Sequence, residues 1–71
     1  MKTTIFITNS ETQETGVEVI REVKNITEIR KIAKQQAIVR GWKKIIINSD
    51  FEYYLPNGVY AWYSDKCMTI K

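Results

Sequence analysis

The sequence has no histidine and a single cysteine among its 71 residues. Histidine is the commonest general base and metal ligand near neutral pH, so its absence argues against the usual hydrolytic and zinc sites. Nucleophilic arrangements that pair serine or cysteine with histidine are excluded for the same reason. Cys67 cannot form an internal disulfide, which in so small a chain favours a reducing compartment.

Glycine and proline are also scarce, with three copies and one copy. The glycines are isolated from one another, so no glycine-rich loop is present to cradle a phosphate. The apolar runs are far shorter than the roughly 20 residues that span a bilayer, and "IFI" near the N-terminus is too short for the core of a signal peptide. We therefore predict a cytoplasmic protein, of a bacterial or other host cell, with no membrane contact.

No catalytic or metal site is predicted. Asp50 and Glu52 lie two residues apart and could in principle hold a cation or act as an acid pair, but solvated charges at a strand end explain them more simply. The sequence is therefore expected to be that of a binding protein and not an enzyme, with no metal and no small-molecule cofactor.

The net charge is +3, from 11 basic and 8 acidic residues. This mild excess permits nucleic-acid binding, but dedicated binders of this size have a denser basic stripe, and here the acidic residues are interspersed. The length predicts a single domain over residues 1–71. A core of this size rarely supplies more than roughly 3–5 kcal/mol, so large apolar groups left in water call for an explanation.

Two strands are predicted before the helix. The β-branched residues at positions 3–8 predict the first strand, and the polar "NSETQETG" predicts a loop. "VEVIREV" alternates with period two and predicts a half-buried strand, paired with the first as an antiparallel hairpin. One side of this second strand consists of Val17, Val19 and Val23.

Asn25 and Gly41 bound the predicted helix. Asn25 can cap the first turn while Glu28 reaches back to the Asn25 backbone N–H. Gly41 can take the left-handed conformation just after the helix ends at Arg40. Trp42 is expected to pin the helix end to the sheet. The predicted buried stripe comprises Ile26, Ile29, Ile32, Ala33, Gln36, Ala37 and Val39.

After the helix, "KKIII" predicts a strand that "NSD" breaks or bulges, and "FEYYL" pairs with "VYAWY" across "PNG". The turn residues suit a type I turn with a G1 bulge. "KCMTI" is compatible with a short C-terminal edge strand after an "SDK" turn. The predicted fold class is α+β, in the order β-β-α-β-β, with one helix on one face of a four-stranded, mainly antiparallel sheet.

Most of the aromatic residues lie in "FEYYLPNGVYAWYSD", residues 51–65. Alternation along the hairpin predicts that one face packs under the helix and that the other has no cover within the chain. The side predicted to face the helix carries Phe51, Tyr53, Leu55, Val59, Ala61 and Tyr63. The side predicted to be uncovered carries Glu52, Tyr54, Tyr60 and Trp62.

The leading hypothesis is a small non-catalytic module that binds another protein through this uncovered face. Phages and mobile elements encode inhibitors and modulators of this kind, and homodimerisation would use the same surface. The predicted partner-binding residues are Glu52, Tyr54, Tyr60, Trp62 and, on the helix, Ile38. Cross-strand ring pairs also stabilise exposed hairpins that bind nothing, and this structural explanation stays open.

The alternative is a basic nucleic-acid-binding protein. In it, the rings would stack on bases while helix-side cations grip phosphates. The residues predicted for that role are Arg30, Lys31, Lys34, Lys43 and Lys44. Such residues are more commonly the solvated side of an amphipathic helix, and "QQ" interrupts the stripe.

Overall fold

The computed structural model describes residues 2–70, apart from the side chains of Val17 and Cys67. The predicted placement of the Val17 side chain on the same side of β2 as Val19 therefore lies outside the described residues. The strands form one antiparallel sheet in the order β2-β1-β3-β4, and the helix packs on one face of it, which confirms the predicted fold class. The elements in chain order are β1 (Lys2–Asn9), β2 (Thr15–Glu22), α1 (Ile26–Arg40), β3 (Lys44–Tyr54) and β4 (Tyr60–Thr69).

The core lies between α1 and the two central strands, β1 and β3. Side chains alternate across a strand, so every second residue of β1 and β3 points toward the helix. Ile7 lies directly opposite Ile47 in the antiparallel pair, which brings the isoleucines of both strands to the same side. The fully buried hydrophobic residues are Ile5, Ile7, Ile29, Ala33, Ala37, Ile45 and Ile47.

The buried stripe of α1 is narrower than predicted. Ile29, Ala33 and Ala37 are fully buried, but Val39 is 82% exposed. Val39 is six positions after Ala33, which places the two residues about 120° apart around the helix. The predicted inclusion of Val39 is wrong because the stripe is centred near Ala33, and Val39 falls on its flank.

Asn25 caps α1 as predicted. Its Oδ1 accepts a hydrogen bond from the Glu28 N–H at 2.9 Å. The return bond differs from the prediction, because the Glu28 carboxylate accepts from the Lys24 N–H at 2.7 Å and not from Asn25. The carboxylate thus reaches one residue further back and ties down the chain that enters the helix.

The C-terminal end of α1 also follows the prediction. Gly41 has φ of 73°, in the left-handed region that favours glycine. The Gly41 N–H donates to the Ile38 carbonyl at 3.1 Å, and the Trp42 N–H donates to the Ala37 carbonyl at 2.9 Å. These two bonds form a Schellman motif, which satisfies carbonyls that the helix end would leave without donors.

A bulge interrupts the β3–β4 ladder between Asn48 and Glu52, which confirms the irregularity predicted at "NSD". Ser49 Oγ donates to the Tyr63 carbonyl at 2.7 Å, and Asp50 Oδ1 accepts from the Thr4 N–H at 2.8 Å. These side chains bond backbone groups beside the bulge, where strand pairing is disrupted.

Beyond a second register shift, between Ile45 and Ile47, β4 continues to Thr69. Lys44 lies opposite Thr69 there, and the Ile70 N–H donates to the Lys43 carbonyl at 2.7 Å. The predicted C-terminal edge strand is thus the last part of β4, which forms one edge of the sheet. The predicted "SDK" turn is wrong, because residues 64–66 stay in β4 and a register shift takes the place of a turn.

Gly58 completes the predicted turn between β3 and β4. It has φ of 83°, and its N–H donates to the Leu55 carbonyl at 2.9 Å. The Leu55 N–H in turn donates to the Val59 carbonyl at 2.9 Å. This pattern is that of a type I turn with a G1 bulge, and it sets the register of the hairpin.

Gly16, in β2, lies under the ring of Trp42. A Cβ at this position would overlap the Ile7 carbonyl oxygen and come within 2.7 Å of Trp42 Cζ3. Trp42 is half-buried against the core, as predicted for a residue that pins the helix end to the sheet. Only glycine lets β1, β2 and the indole ring approach one another this closely.

Gly16→Ala should therefore lower the free energy of unfolding by about 2–3 kcal/mol, because its Cβ is forced into a backbone oxygen and an indole ring. Gly41→Ala is the matched control. Nothing lies within 4 Å of a Cβ there, so the expected cost is the left-handed backbone strain of about 1 kcal/mol. Urea denaturation followed by circular dichroism measures both. Equal costs would contradict the close approach at Gly16.

Candidate functional site

No described residue covers the face of the sheet opposite α1, which we call the open face. The open-face residues of β1 and β3 alternate with those buried under the helix. Ile20 of β2 lies opposite Thr4 of β1 and joins the same face. The large exposed side chains on it are Phe6, Ile20, Tyr54, Tyr60 and Trp62.

The three predicted rings lie on the open face. Tyr54, Tyr60 and Trp62 are between 54% and 66% exposed. Tyr54 lies directly opposite Tyr60, and Glu52 lies opposite Trp62. The predicted division of the hairpin into two faces is therefore confirmed within the strands, while the binding role of these residues stays a prediction. The predicted cover of Val59 by the helix is wrong: Val59 is 56% exposed, because it lies at the hairpin tip outside both strands.

At the tip of the hairpin, the rings of Tyr54 and Tyr60 lie against each other. Their centroids are 4.0 Å apart, with an angle of 30° between the ring planes. Hydrogen bonding with Tyr54, then partial desolvation, then the negative charge of Glu52 raise the pKa of Tyr60. These contacts therefore favour the neutral form of the Tyr60 phenol.

Phe6 is a member of the open face that the sequence-based prediction omits. It is 40% exposed, although its neighbours Ile5 and Ile7 are fully buried. The pattern "TIFIT" was enough to predict this position of Phe6, because the residue between two inward-pointing isoleucines of a strand points outward. Phe6 lies opposite Asn48, which in turn lies opposite Ser64.

A groove of about 560 Å³ lies on the open face, and its aromatic lining residues are Phe6 and Trp62. Its two charged lining residues are Glu18 and Asp50, and none of the described lining residues is basic. The hydrogen bond from Thr4 N–H holds the Asp50 carboxylate in place. The residues that line the groove are Thr4, Phe6, Glu18, Asn48, Ser49, Asp50, Trp62 and Ser64.

The opposite face of the hairpin packs toward the helix. Tyr53 and Tyr63 make an edge-to-face contact with centroids 6.3 Å apart. The Tyr63 hydroxyl donates to Asp65 Oδ2 at 2.8 Å, and Arg30 Nε lies 3.4 Å from the same oxygen. Arg30, one of the predicted phosphate-binding residues, thus links the helix to β4.

The remaining predicted site residues lie away from the rings. Lys31, Lys34 and Ile38 are exposed on α1, on the other side of the sheet from the open face. Ile38 is 54% exposed and does not join the predicted aromatic surface. Lys43 precedes β3, and Lys44 begins it; because Lys44 alternates with buried Ile45, it lies on the open face, at the end of β3 far from the hairpin tip. The fold therefore separates the helix cations from the rings.

Among residues 2–70, no group of three or more histidine, cysteine, aspartate or glutamate residues is arranged to hold a metal ion. No helix in the same range combines the length and the apolar character that crossing a membrane requires. Comparisons of the chain with protein-family models, with curated proteins and with solved structures found no match. The basis for a functional proposal is therefore the geometry of the open face.

The Tyr63 contacts generate a pH prediction. Burial, followed by the hydrogen bond to Asp65 and its charge, raises the pKa of Tyr63 to about 12. Since an unfolded tyrosine titrates near pH 10, this stabilisation is complete below about pH 10 and is lost as the pH rises toward 12. Tyr63→Phe has no such proton. Over this range, we expect wild type to lose stability relative to Tyr63→Phe in urea denaturation.

Asp65→Asn is the control for that experiment, because it removes the charge that opposes ionisation of Tyr63 and keeps an oxygen that accepts a hydrogen bond. We compare the effect of Tyr63→Phe on the free energy of unfolding in two backgrounds, wild type and Asp65→Asn. This effect should change less with pH in the Asp65→Asn background. Parallel pH profiles for wild type and Tyr63→Phe would contradict the assigned contact.

Proposed function

We propose that this chain is a small non-catalytic binding module that recognises another protein through the open face. It would act as an inhibitor or modulator of the kind that phages and mobile elements encode. The observation that supports the proposal is the placement of Trp62, Tyr60 and Tyr54 on one uncovered surface, each more than half exposed. Tryptophan and tyrosine dominate binding hot spots because they bring a large contact area at low entropic cost.

The size of the chain strengthens this argument. Fully burying one large apolar side chain stabilises a protein by about 1.5–3 kcal/mol. A core in a domain of this length supplies roughly 3–5 kcal/mol in total. Leaving Phe6, Ile20 and Trp62 in water on one face thus forgoes stability comparable to that total. A partner that covers the face buries these side chains, so their burial stabilises the complex.

Nucleic acid fits the open face less well than protein does. Phosphates would meet Glu18, Asp50 and Glu52 beside the rings, and like charges repel. The helix cations Lys31 and Lys34 lie on the other side of the sheet. One strand of nucleic acid cannot stack on the rings and contact those cations together without wrapping around the domain.

The test compares three immobilised baits in a bacterial extract: wild type, Tyr60→Ala/Trp62→Ala and Lys31→Gln/Lys34→Gln. We expect wild type and the lysine variant to retain the same protein, and the ring variant to lose it. The rings and lysines occupy different sides of the sheet, so the two double variants separate the two hypotheses. Circular dichroism confirms that each bait is folded.

The extract is treated with nuclease and the wash is repeated at raised salt, because phosphate contacts weaken steeply with salt. Retention that disappears with nuclease, or that follows the lysine pair, would favour the nucleic-acid alternative. Retention of no protein by the folded wild type would contradict the proposal. Sedimentation of the free protein separately shows whether the open face binds a second copy.

A further inference from the structure

The groove on the open face combines two aromatic rings with two carboxylates. From this we infer that it receives a cationic side chain of the partner protein, an arginine in particular, between Phe6 and Trp62. The inference rests on the proposed function and adds the chemistry of the partner. Phe6, Glu18, Asp50 and Trp62 come from all four strands, so the groove exists only when the whole sheet is assembled.

Charge complementarity selects the occupant. Glu18 and Asp50 are the charged residues among the described lining, and the chain as a whole is basic. The local sign of the groove is therefore opposite to the net charge. The Thr4 N–H donates to Asp50 Oδ1 at 2.8 Å, so this carboxylate is held in position before any partner arrives. A carboxylate held this way loses little freedom when it receives a guanidinium.

The aromatic walls favour the same group. A cation over the face of a tryptophan ring is attracted by the ring quadrupole, and tryptophan is the best of the aromatic residues for this contact. Elsewhere in the chain the same pairing already exists, with the Arg40 guanidinium carbon 5.4 Å from the centroid of the Trp42 ring. The planar guanidinium of arginine can stack on such a ring and bond a carboxylate in two places, which the ammonium of lysine cannot do.

A second copy of the chain is a poorer occupant. A two-fold contact that placed the two grooves against each other would bring Glu18 and Asp50 of both copies together. The cations of α1 lie on the opposite side of the sheet, so inserting them into the groove of another copy makes a head-to-tail contact, which builds a ring or a filament and not a two-fold dimer. An arginine of a different protein can enter the groove without bringing like charges together and without a head-to-tail assembly of this chain.

The test uses the full chain labelled with ¹⁵N and the peptide acetyl-GRGRG-amide as probe. The matched control peptide replaces arginine with citrulline, which has nearly the same shape and no charge. Trp62 and Trp42 each have an indole N–H signal, and Trp42 lies outside the groove, so it is an internal reference. We expect the arginine peptide to shift the Trp62 signal and leave Trp42 unmoved, and the citrulline peptide to shift neither.

Glu18→Gln/Asp50→Asn should weaken this binding about tenfold or more, since two charge-assisted contacts are lost. The asparagine oxygen can still accept from Thr4 N–H, so the groove should keep its shape. Glu11→Gln/Glu14→Gln is the charge-matched control, because it raises the net charge by the same amount in the loop between β1 and β2, outside the groove, and it should leave the affinity nearly unchanged. The remaining amide signals show whether each variant is folded.

Equal shifts with arginine and citrulline, equal shifts at both tryptophans, or no shift at millimolar peptide would each overturn the inference. Self-association of wild type that Glu18→Gln/Asp50→Asn abolishes would identify the occupant as a second copy and overturn it as well. The proposed function is tested separately. If partner capture is lost in Tyr60→Ala/Trp62→Ala but intact in Glu18→Gln/Asp50→Asn, the open face binds protein and the cationic occupant is wrong.

Discussion

One helix covers one face of a sheet, and this geometric limit governs the rest of the described structure. α1 has 15 residues, about 22 Å of helix, and it packs on the two central strands. The alternation that sends Ile5 and Ile7 beneath it sends Phe6 to the other side. The core and the open face therefore have the same cause. No substitution pattern could bury Phe6 within this chain without exposing an isoleucine, because adjacent residues of a strand cannot share a face.

The local patterns were enough to predict the elements and the faces of the hairpin. Pro56 and Gly58 set the turn, the turn sets the register, and the register assigns Tyr53 and Tyr54 to opposite faces. The groove could not be predicted in the same way. It depends on β1 lying beside β3, and the bond that positions Asp50 joins residues 46 positions apart. Strand order depends on contacts across the whole sheet, which no short window of sequence contains.

The net charge of +3 is similarly uninformative about the groove. Net charge describes long-range attraction and solubility, whereas a binding surface responds to the charges within a few ångströms of it. The fold places Lys31 and Lys34 on the helix and Glu18 and Asp50 beside the exposed rings. A chain that looks mildly basic in composition therefore presents an acidic, aromatic groove on its uncovered side.

The two ends of the open face differ in what their rings do for the fold. Tyr54 and Tyr60 contact each other at the hairpin tip, and a cross-strand ring pair stabilises a hairpin whether or not it binds anything. A structural explanation is therefore sufficient for that pair. Trp62 lies opposite Glu52, next to the β3 bulge, and has no comparable ring partner among the described contacts. Bulges redirect side chains and are frequent beside functional sites. The argument for binding is therefore strongest at Trp62 and the groove, and weakest at the tip of the hairpin.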